Sequence, residues 1–410
     1  MTEEKRTMTE DDRAVRILRT MADEPLAPST VDVARTMHEG RRRRRARHWS
    51  GGVAVVAVTA VAAGGGTMAV AAMQDAPQPP VVTPTTVAAA PTPVPKNCRV
   101  TLLPSRGISK ALVTAGDPTG RYLAGRVYPP GGVETVLWKD GKLLPAPPMP
   151  GADASWDDIN SSGLAVGYSN DAKGRQSAYS SRAGGTRLAG GRAVAVAIND
   201  AGVIAGTLAE PHFGGKPARW ASDKASPEEL PLPAGYIGGD ATEIDEDGTI
   251  AGRIYRKAGE GHGYLWLPDG TGRLLSPPTV DGKKAAFFWP ESIIEGVVYG
   301  RTVGDLKDGT VRPSAPFRYT IATGAFERLP GGDLGTPVLG AANGWALGTK
   351  GINDAVIAVG DKVVPLPRYQ GMREYVVSAF SADGKVAGGY TTDMSDEDVA
   401  NRPLVWNCEA

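Results

Sequence analysis

Four closely related stretches decide the fold: INSSGLAVG at 159–167, INDAGVIAG at 198–206, IDEDGTIAG at 244–252 and SADGKVAG at 381–388. Each resembles a β-hairpin in which a short polar residue and a glycine form the turn, and small or β-branched residues form the second strand. Weaker copies are DPTGRYLAG at 117–125, IIEGVVYG at 293–300 and AANGWALG at 341–348. The chain therefore contains seven related units, and such repetition dominates the prediction of the fold.

The seven units recur at the spacing of propeller blades. Their final glycines, which we take as the turn glycines of the repeat, are separated by 42, 39, 46, 48, 48 and 40 residues; they are Gly125, Gly167, Gly206, Gly252, Gly300, Gly348 and Gly388. After a variable loop, most units continue with a third strand that ends in an aromatic residue and a fourth strand of Leu-Pro character. Four short strands per unit predict an all-β, seven-bladed β-propeller.

The last unit lacks a fourth strand, because Trp406 is followed only by Asn-Cys-Glu-Ala. A spare copy of the fourth-strand pattern, RVTLLP, follows Cys98 at the other end of the repetitive region. If this N-terminal strand completes the last blade, Cys98 lies beside Cys408, and the propeller spans about 98–408 closed by a disulfide. A disulfide requires an oxidising compartment.

A membrane segment is predicted ahead of the repeats. From Ser50 to Met73 there are 24 consecutive uncharged residues, about 36 Å of helix at about 1.5 Å per residue. Six arginines precede it, Arg41, Arg42, Arg43, Arg44, Arg45 and Arg47, and place the N-terminus in the cytoplasm by the positive-inside rule. The same arginines are compatible with nucleic-acid binding or nuclear targeting, and the apolar run with a signal peptide cleaved after Ala72.

These signals divide the chain into a cytoplasmic segment (1–49), a transmembrane helix (50–73), a Pro- and Thr-rich linker (74–97) and an extracellular propeller (98–410). Capping patterns at Thr9 and Ser29 predict short helices near 10–23 and 30–40, which either dock a cytoplasmic protein partner or simply lead into the bilayer. The stretch ILRTMADEP before the arginines resembles cytoplasmic tails of actinobacterial single-pass membrane proteins.

The repeats from 113 to 406 resemble the HAF-type extracellular repeats of bacteria, in which an I-N-x-x-G-x-V-x-G stretch precedes an aromatic strand. The resemblance is most specific at Ile198–Gly206 and Ile244–Gly252, whereas units five and six depart from it. It implies an exported repeat module and assigns no activity.

Composition and motifs exclude several functions. The chain carries 45 basic and 45 acidic residues, and beyond residue 49 the balance is slightly acidic, which argues against nucleic acid as a partner. Only His212 and His262 lie beyond the predicted span, too few for a three-histidine zinc site, and the turn Asp245–Gly248 lacks the ligand spacing of an EF-hand. No catalytic motif, metal site or cofactor site is predicted.

The aromatic residues fall into two groups. Trp138, Trp220, Trp266, Tyr319 and Trp406 occupy one position in their units, which predicts packing between blades. Trp156, Trp289 and Trp345 lie outside that register, and we expect them to be exposed and to anchor a ligand.

We therefore expect a non-enzymatic, membrane-anchored propeller that binds an extracellular polymer, protein or small ligand. One alternative is an enzyme acting on cell-envelope glycans or peptides through pore carboxylates such as Asp157, Asp158 or Glu243, which requires two carboxyl groups within catalytic reach. A second alternative is transmembrane signalling or sensing through residues 1–49.

Overall fold

The computed structural model describes residues 93–145, 148–209, 215–256, 260–304, 314–330, 334–351, 353–392 and 401–409. The predictions for 1–92, including both short helices, the arginine cluster, the membrane span and most of the linker, lie outside the described residues, as does His212. Within the described residues the structure contains no helix with the length and hydropathy of a membrane span. One 3₁₀ turn, Arg182–Gly184, is the single helical element in this described part of the chain.

The described chain forms a seven-bladed β-propeller, which confirms the predicted fold class. Its first strand is β1 (Lys96–Leu102). Blade 1 consists of β2 (Ala111–Gly116), β3 (Tyr122–Val127), β4 (Glu134–Lys139) and β5 (Lys142–Leu143), and blade 2 of β6 (Asp153–Ile159), β7 (Ala165–Asn170), β8 (Gln176–Ser180) and β9 (Thr186–Arg187). Blade 3 consists of β10 (Ala193–Ile198), β11 (Ile204–Leu208), β12 (Lys216–Trp220) and β13 (Pro227–Glu229), and blade 4 of β14 (Gly238–Ile244), β15 (Ile250–Tyr255), β16 (Gly261–Trp266) and β17 (Gly272–Leu274). A small hairpin, β18 (Thr279–Val280) and β19 (Lys283–Lys284), is inserted before blade 5.

Blade 5 consists of β20 (Phe287–Ile294), β21 (Val297–Val303), β22 (Pro316–Thr320) and β23 (Ala325–Arg328), and blade 6 of β24 (Gly335–Gly340), β25 (Ala346–Lys350), β26 (Asp354–Val359) and β27 (Lys362–Pro365). Blade 7 contains β28 (Tyr375–Phe380), β29 (Val386–Thr391) and β30 (Pro403–Glu409). Each blade is an antiparallel sheet with its first strand innermost, and every innermost strand contacts the innermost strands of the two neighbouring blades. The seven blades therefore close into a ring.

The N-terminal strand completes blade 7, as predicted. β1 is the outermost strand of the sheet β1-β30-β29-β28, and it pairs antiparallel with β30 from Lys96 opposite Glu409 to Leu102 opposite Leu404. Cys98 and Cys408 form a disulfide with their Cα atoms 4.0 Å apart. The predicted disulfide is therefore confirmed.

The repeat motif stabilises the turn between the first two strands of a blade. Asn160 Oδ1 accepts hydrogen bonds from the backbone N–H groups of Ser162 and Leu164, and its Nδ2 donates to the carbonyl of Asn199 in blade 3. Asn199 repeats this arrangement, because its Nδ2 donates to the carbonyl of Asp245 in blade 4. Asn160 and Asn199 are both buried, and these hydrogen bonds satisfy their polar atoms and link successive turns.

The seven predicted turn glycines lie within second strands and not in turns. The glycines of the turns, with positive φ, are instead Gly120, Gly163, Gly202, Gly248, Gly296, Gly344 and Gly384. Opposite the strand glycines, six of the innermost strands carry a one-residue bulge at Thr114, Asp157, Val196, Thr242, Glu291 or Ser378. In blade 7 the glycine at this position is Gly389, opposite Val377, and not the predicted Gly388.

Glycine is required at these positions because the backbones of the first and second strands approach each other closely. A Cβ atom at Gly206 would overlap the carbonyl oxygen of Val194, and the same conflict arises at Gly125, Gly167, Gly252 and Gly300. The bulge pushes a carbonyl of the innermost strand toward the second strand, which leaves no space for a side chain.

The third-strand tryptophans of blades 1, 3, 4 and 7 each join their blade to the one before it. Trp138, Trp220, Trp266 and Trp406 are at most 4% exposed, and Tyr319 is 5% exposed. The indole N–H of Trp220 donates to the carbonyl of Ala189, and those of Trp138, Trp266 and Trp406 donate to Pro104, Pro231 and Pro367, at 2.8 to 2.9 Å. Each acceptor lies just beyond the outermost strand of the preceding blade.

The ring has two ends, which we call the turn end and the loop end. The turn end carries the hairpins between first and second strands, and the loop end carries the loops between second and third strands and the connections between blades. The linker enters at the turn end, because the carbonyl of Pro93 accepts a hydrogen bond from Trp345 beside the blade 6 turn, at 3.0 Å. β1 then runs from the turn end to the loop end.

Candidate functional site

Arginines follow the strand glycine in blades 1, 4 and 5, and two of them are buried while the third is partly buried. Arg126 is 1% exposed and pairs with Asp153 of blade 2 at 3.2 Å. Arg301 is 4% exposed and pairs with Glu291 at 3.0 Å. The third, Arg253, has a side chain 17% exposed. Burial of a charge requires a partner of opposite sign, so these pairs form a charged layer near the loop end.

Arg253 lies at the centre of a polar cluster between blades 4 and 5. Its guanidinium lies 5.4 Å from the centroid of Trp289 and 3.7 Å from Asp240. Tyr255 donates its hydroxyl proton to Asp240 Oδ2 at 2.6 Å, and burial raises the pKa of Tyr255, so the hydroxyl remains protonated. Trp289 donates to the carbonyl of Gly261 at 2.7 Å, which joins the two blades.

Above this cluster lies a patch of aromatic, aliphatic and cationic residues at the loop end, which we call the rim patch: Tyr236, Ile237, Arg256, His262 and Phe287. The rings of Tyr236 and His262 meet edge to face at 5.6 Å, and those of His262 and Phe287 at 5.0 Å. The guanidinium of Arg256 lies 4.8 Å from the centroid of Tyr236. Ile237 is 64% exposed, the most exposed large apolar side chain of the described residues.

Four segments of chain build the rim patch. Tyr236 and Ile237 belong to the connection between blades 3 and 4, Arg256 follows β15, His262 lies in β16, and Phe287 begins β20. Burial, followed by the nearby charge of Arg256, lowers the pKa of His262. The imidazole is therefore neutral at pH 7 and contributes an aromatic surface.

The three tryptophans expected to be exposed ligand anchors are buried, so that expectation is wrong. Trp156, Trp289 and Trp345 are 2%, 5% and 0% exposed. Trp156 packs against Ala154 and Ile159 in the core between blades 1 and 2. The indole N–H of Trp289 is used between blades 4 and 5, and that of Trp345 by the entering linker.

The carboxylates considered for catalysis lie on innermost strands, at or next to the bulge. Asp158 accepts hydrogen bonds from the backbone N–H groups of Ile159 and Ile198, both at 2.8 Å, and so links blades 2 and 3. Burial raises the pKa of Asp158 to about 7, and the charge of the adjacent Asp157 adds to the rise. Glu243 occupies the corresponding position in blade 4.

The acidic turn of blade 4 has a structural partner. Asp245 accepts backbone hydrogen bonds from Glu295 and Gly296 of the blade 5 turn, at 3.0 and 2.7 Å. Both carboxylate oxygens therefore join neighbouring turns. Across the described residues, no three His, Cys, Asp or Glu side chains are grouped as metal ligands.

Sequence reasoning missed both the arginine layer and the rim patch. The arginines carried a signal, because Gly-Arg ends the motif at 125–126, 252–253 and 300–301. The rim patch carried none, since its residues come from loops and strand ends that have no common period.

The comparisons show likeness to other propellers at the level of the fold. No protein-family model matches the sequence, and no curated protein matches it. Virginiamycin B lyase from Staphylococcus aureus is 12% identical, with a TM-score of 0.48 over 76% of this chain and 99% of that one. The β-propeller domain of the Trilobed protease from Pyrococcus furiosus is 12% identical, with a TM-score of 0.47 over 72% of this chain and 95% of that one. The WD40 domain of Toxoplasma gondii coronin is 12% identical, with a TM-score of 0.42 over 79% and 90%.

Proposed function

We propose that the protein is a membrane-anchored, extracellular binding module whose ligand contacts the rim patch. The observation that carries this proposal is the combination of a 64% exposed Ile237 with partly exposed aromatic rings and a stacked Arg256 at one place on the loop end. Exposed apolar surface with a polar border is typical of interaction sites. Aromatic residues and arginine are also the side chains most enriched at binding hot spots.

Two independent features support the location. The arginine cluster at 41–47 precedes an apolar run of membrane length, and the Cys98–Cys408 disulfide needs an oxidising environment. Because the linker enters at the turn end, the rim patch lies at the end of the ring opposite the attachment. A ring anchored in this way offers the rim patch to the space beyond the membrane.

The experiment is a ligand screen with the full-length protein, purified in detergent and immobilised through an N-terminal tag. Envelope glycans and secreted proteins are applied, and each hit is repeated with Ile237→Asp and, as matched control, Leu274→Asp. Leu274 is also exposed (43%) but lies on the outermost strand of blade 4. We expect binding to be lost with Ile237→Asp and kept with Leu274→Asp. Ligands that bind the Ile237→Asp variant as well as the original protein would refute the rim patch as the site.

An enzyme remains the second candidate because Asp158, with a pKa of about 7, lies next to Asp157 on an innermost strand. Carboxyl groups with raised pKa values are frequent in active sites. Each polymer or peptide that binds is therefore also incubated with the protein and analysed for cleavage. Product formation that Asp157→Asn abolishes would favour the enzyme over the binding module.

A further inference from the structure

The charges around the rim patch define the class of ligand. We propose that the rim patch, together with the exposed lysines of the β18–β19 hairpin, binds an acidic polysaccharide of the cell envelope. This inference rests on the proposed function and specifies its ligand. It departs from the expectation based on overall composition, which indicated no preference for anionic partners.

Arg256 is held against the patch by contact with an aromatic ring. Its guanidinium stacks on Tyr236 at 4.8 Å, and Tyr236 is itself held by His262. Among the described residues Arg256 has no carboxylate within ion-pair distance. A stacked guanidinium keeps its N–H groups available at the edge and is well suited to carboxylate or phosphate groups.

A basic hairpin, β18–β19, directly precedes Phe287 of the patch in the chain. Lys283 and Lys284 are exposed and lie four and three residues before Phe287. The acidic residue of this hairpin, Asp281, is paired with Arg328 at 3.0 Å. In the described part of the chain neither lysine has a carboxylate partner, so the segment that leads into Phe287 carries two exposed positive charges.

The local acids do not cancel this charge. Asp240 and Glu291 lie below the patch and pair with Arg253 and Arg301. Glu260 lies near His262, where its charge opposes the lowering of the His262 pKa. Among the described residues, the charge of Glu260 is therefore opposed by three exposed cations of the patch and of the segment that leads into it, Arg256, Lys283 and Lys284.

The apolar part of the patch distinguishes a sugar polymer from a bare polyanion. Ile237 and the accessible parts of Tyr236 and Phe287 offer surface that an anion alone would not cover. Sugar rings carry apolar C–H faces that pack on aromatic rings. Acidic sugars place such faces and anionic groups on one repeating unit, and so match both halves of the surface.

The test uses the full-length protein in detergent with polygalacturonate, dextran of matched length and polyphosphate. Binding is measured at several salt concentrations, because displaced counterions make polyanion binding weaken with salt. The variant Lys283→Glu/Lys284→Glu is compared with Lys142→Glu/Lys362→Glu, an equal charge change on exposed residues at the turn end. We expect polygalacturonate to bind in preference to dextran, and its affinity to fall about tenfold with the hairpin variant only.

Each other outcome overturns the proposal. Equal binding of dextran would remove the need for acidic groups, and stronger binding of polyphosphate would remove the need for sugar. Equal losses in both charge variants would show a non-specific effect. A rim-dependent ligand that is uncharged would leave the binding module intact and refute only the acidic polysaccharide, whereas the absence of any rim-dependent ligand would refute both.

Discussion

We expect reduction of the Cys98–Cys408 disulfide to lower the thermal midpoint of the ring. The bridge joins residues separated by 310 positions. The chain-entropy relation for a loop of this length gives about 6 kcal/mol of stabilisation through restriction of the unfolded chain. A ring of this size gains about 0.65 kcal/mol/K of entropy on unfolding, so the shift is about 9 °C.

The assay is thermal unfolding of the full-length protein followed by tryptophan fluorescence, with and without reductant. The control is Cys98→Ser/Cys408→Ser, which should unfold near the midpoint of the reduced protein and ignore reductant. The reasoning is refuted if the oxidised and reduced proteins unfold within about 1 °C of each other and of this variant. The ring would then be held closed by strand pairing and packing alone.

Three further predictions concern the interior of the ring. Because burial raises the pKa of Asp158 from 3.8 to about 7, the folded state holds the proton more tightly, and stability should fall by up to about 4 kcal/mol between pH 4 and pH 7. Urea unfolding across this range should show a flatter profile for Asp158→Asn; an unchanged profile would assign the dependence to other groups. Gly206→Ala should destabilise the ring by about 3 kcal/mol, because there is no space for the new Cβ atom. Gly348→Ala, at the same repeat position, should cost much less, because the nearest atom to its Cβ would be 3.3 Å away. Similar losses of stability for the two variants in urea unfolding would contradict the steric argument. Arg126→Met should lower the free energy of unfolding by about 3 to 5 kcal/mol, because Asp153 is left buried without its ion-pair partner. The double variant Arg126→Met/Asp153→Leu should recover most of this loss. A double variant as unstable as the single one would disprove the role of the ion pair.

The ring could be predicted from sequence because each blade is built from local hairpins. The turn of 159–167 uses residues a few positions apart, and Asn199 of the next repeat accepts a corresponding hydrogen bond from the backbone N–H of Val203. Closure was predictable for a different reason. The strand after Cys98 has no blade of its own, and the last blade lacks a fourth strand. Pairing the two accounts for both, and the Cys98–Cys408 disulfide confirms this pairing.

Other features depend on contacts that no local pattern records. Trp345 stands in a turn outside the repeated register and therefore looked exposed, but the linker at Pro93, some 250 residues away in sequence, covers it. The blade 7 turn, closed by Ser381 N–H to the Val386 carbonyl, is one residue longer than the Asn199–Val203 turn of blade 3, and Gly389 rather than Gly388 lies at the close approach. Tyr236, His262 and Phe287 meet only because the blades bring three distant segments to one end of the ring.

The position of the disulfide within β1 has a mechanical consequence. Tension transmitted through the linker meets the Pro93–Trp345 hydrogen bond first, and within β1 only Lys96 and Asn97 precede Cys98. The load therefore passes into a covalent bond before it reaches the pairs from Arg99 to Leu102. For the proposed membrane-attached binding module, a pull on a bound ligand would load this bond before the hydrogen bonds of the last blade could break one after another.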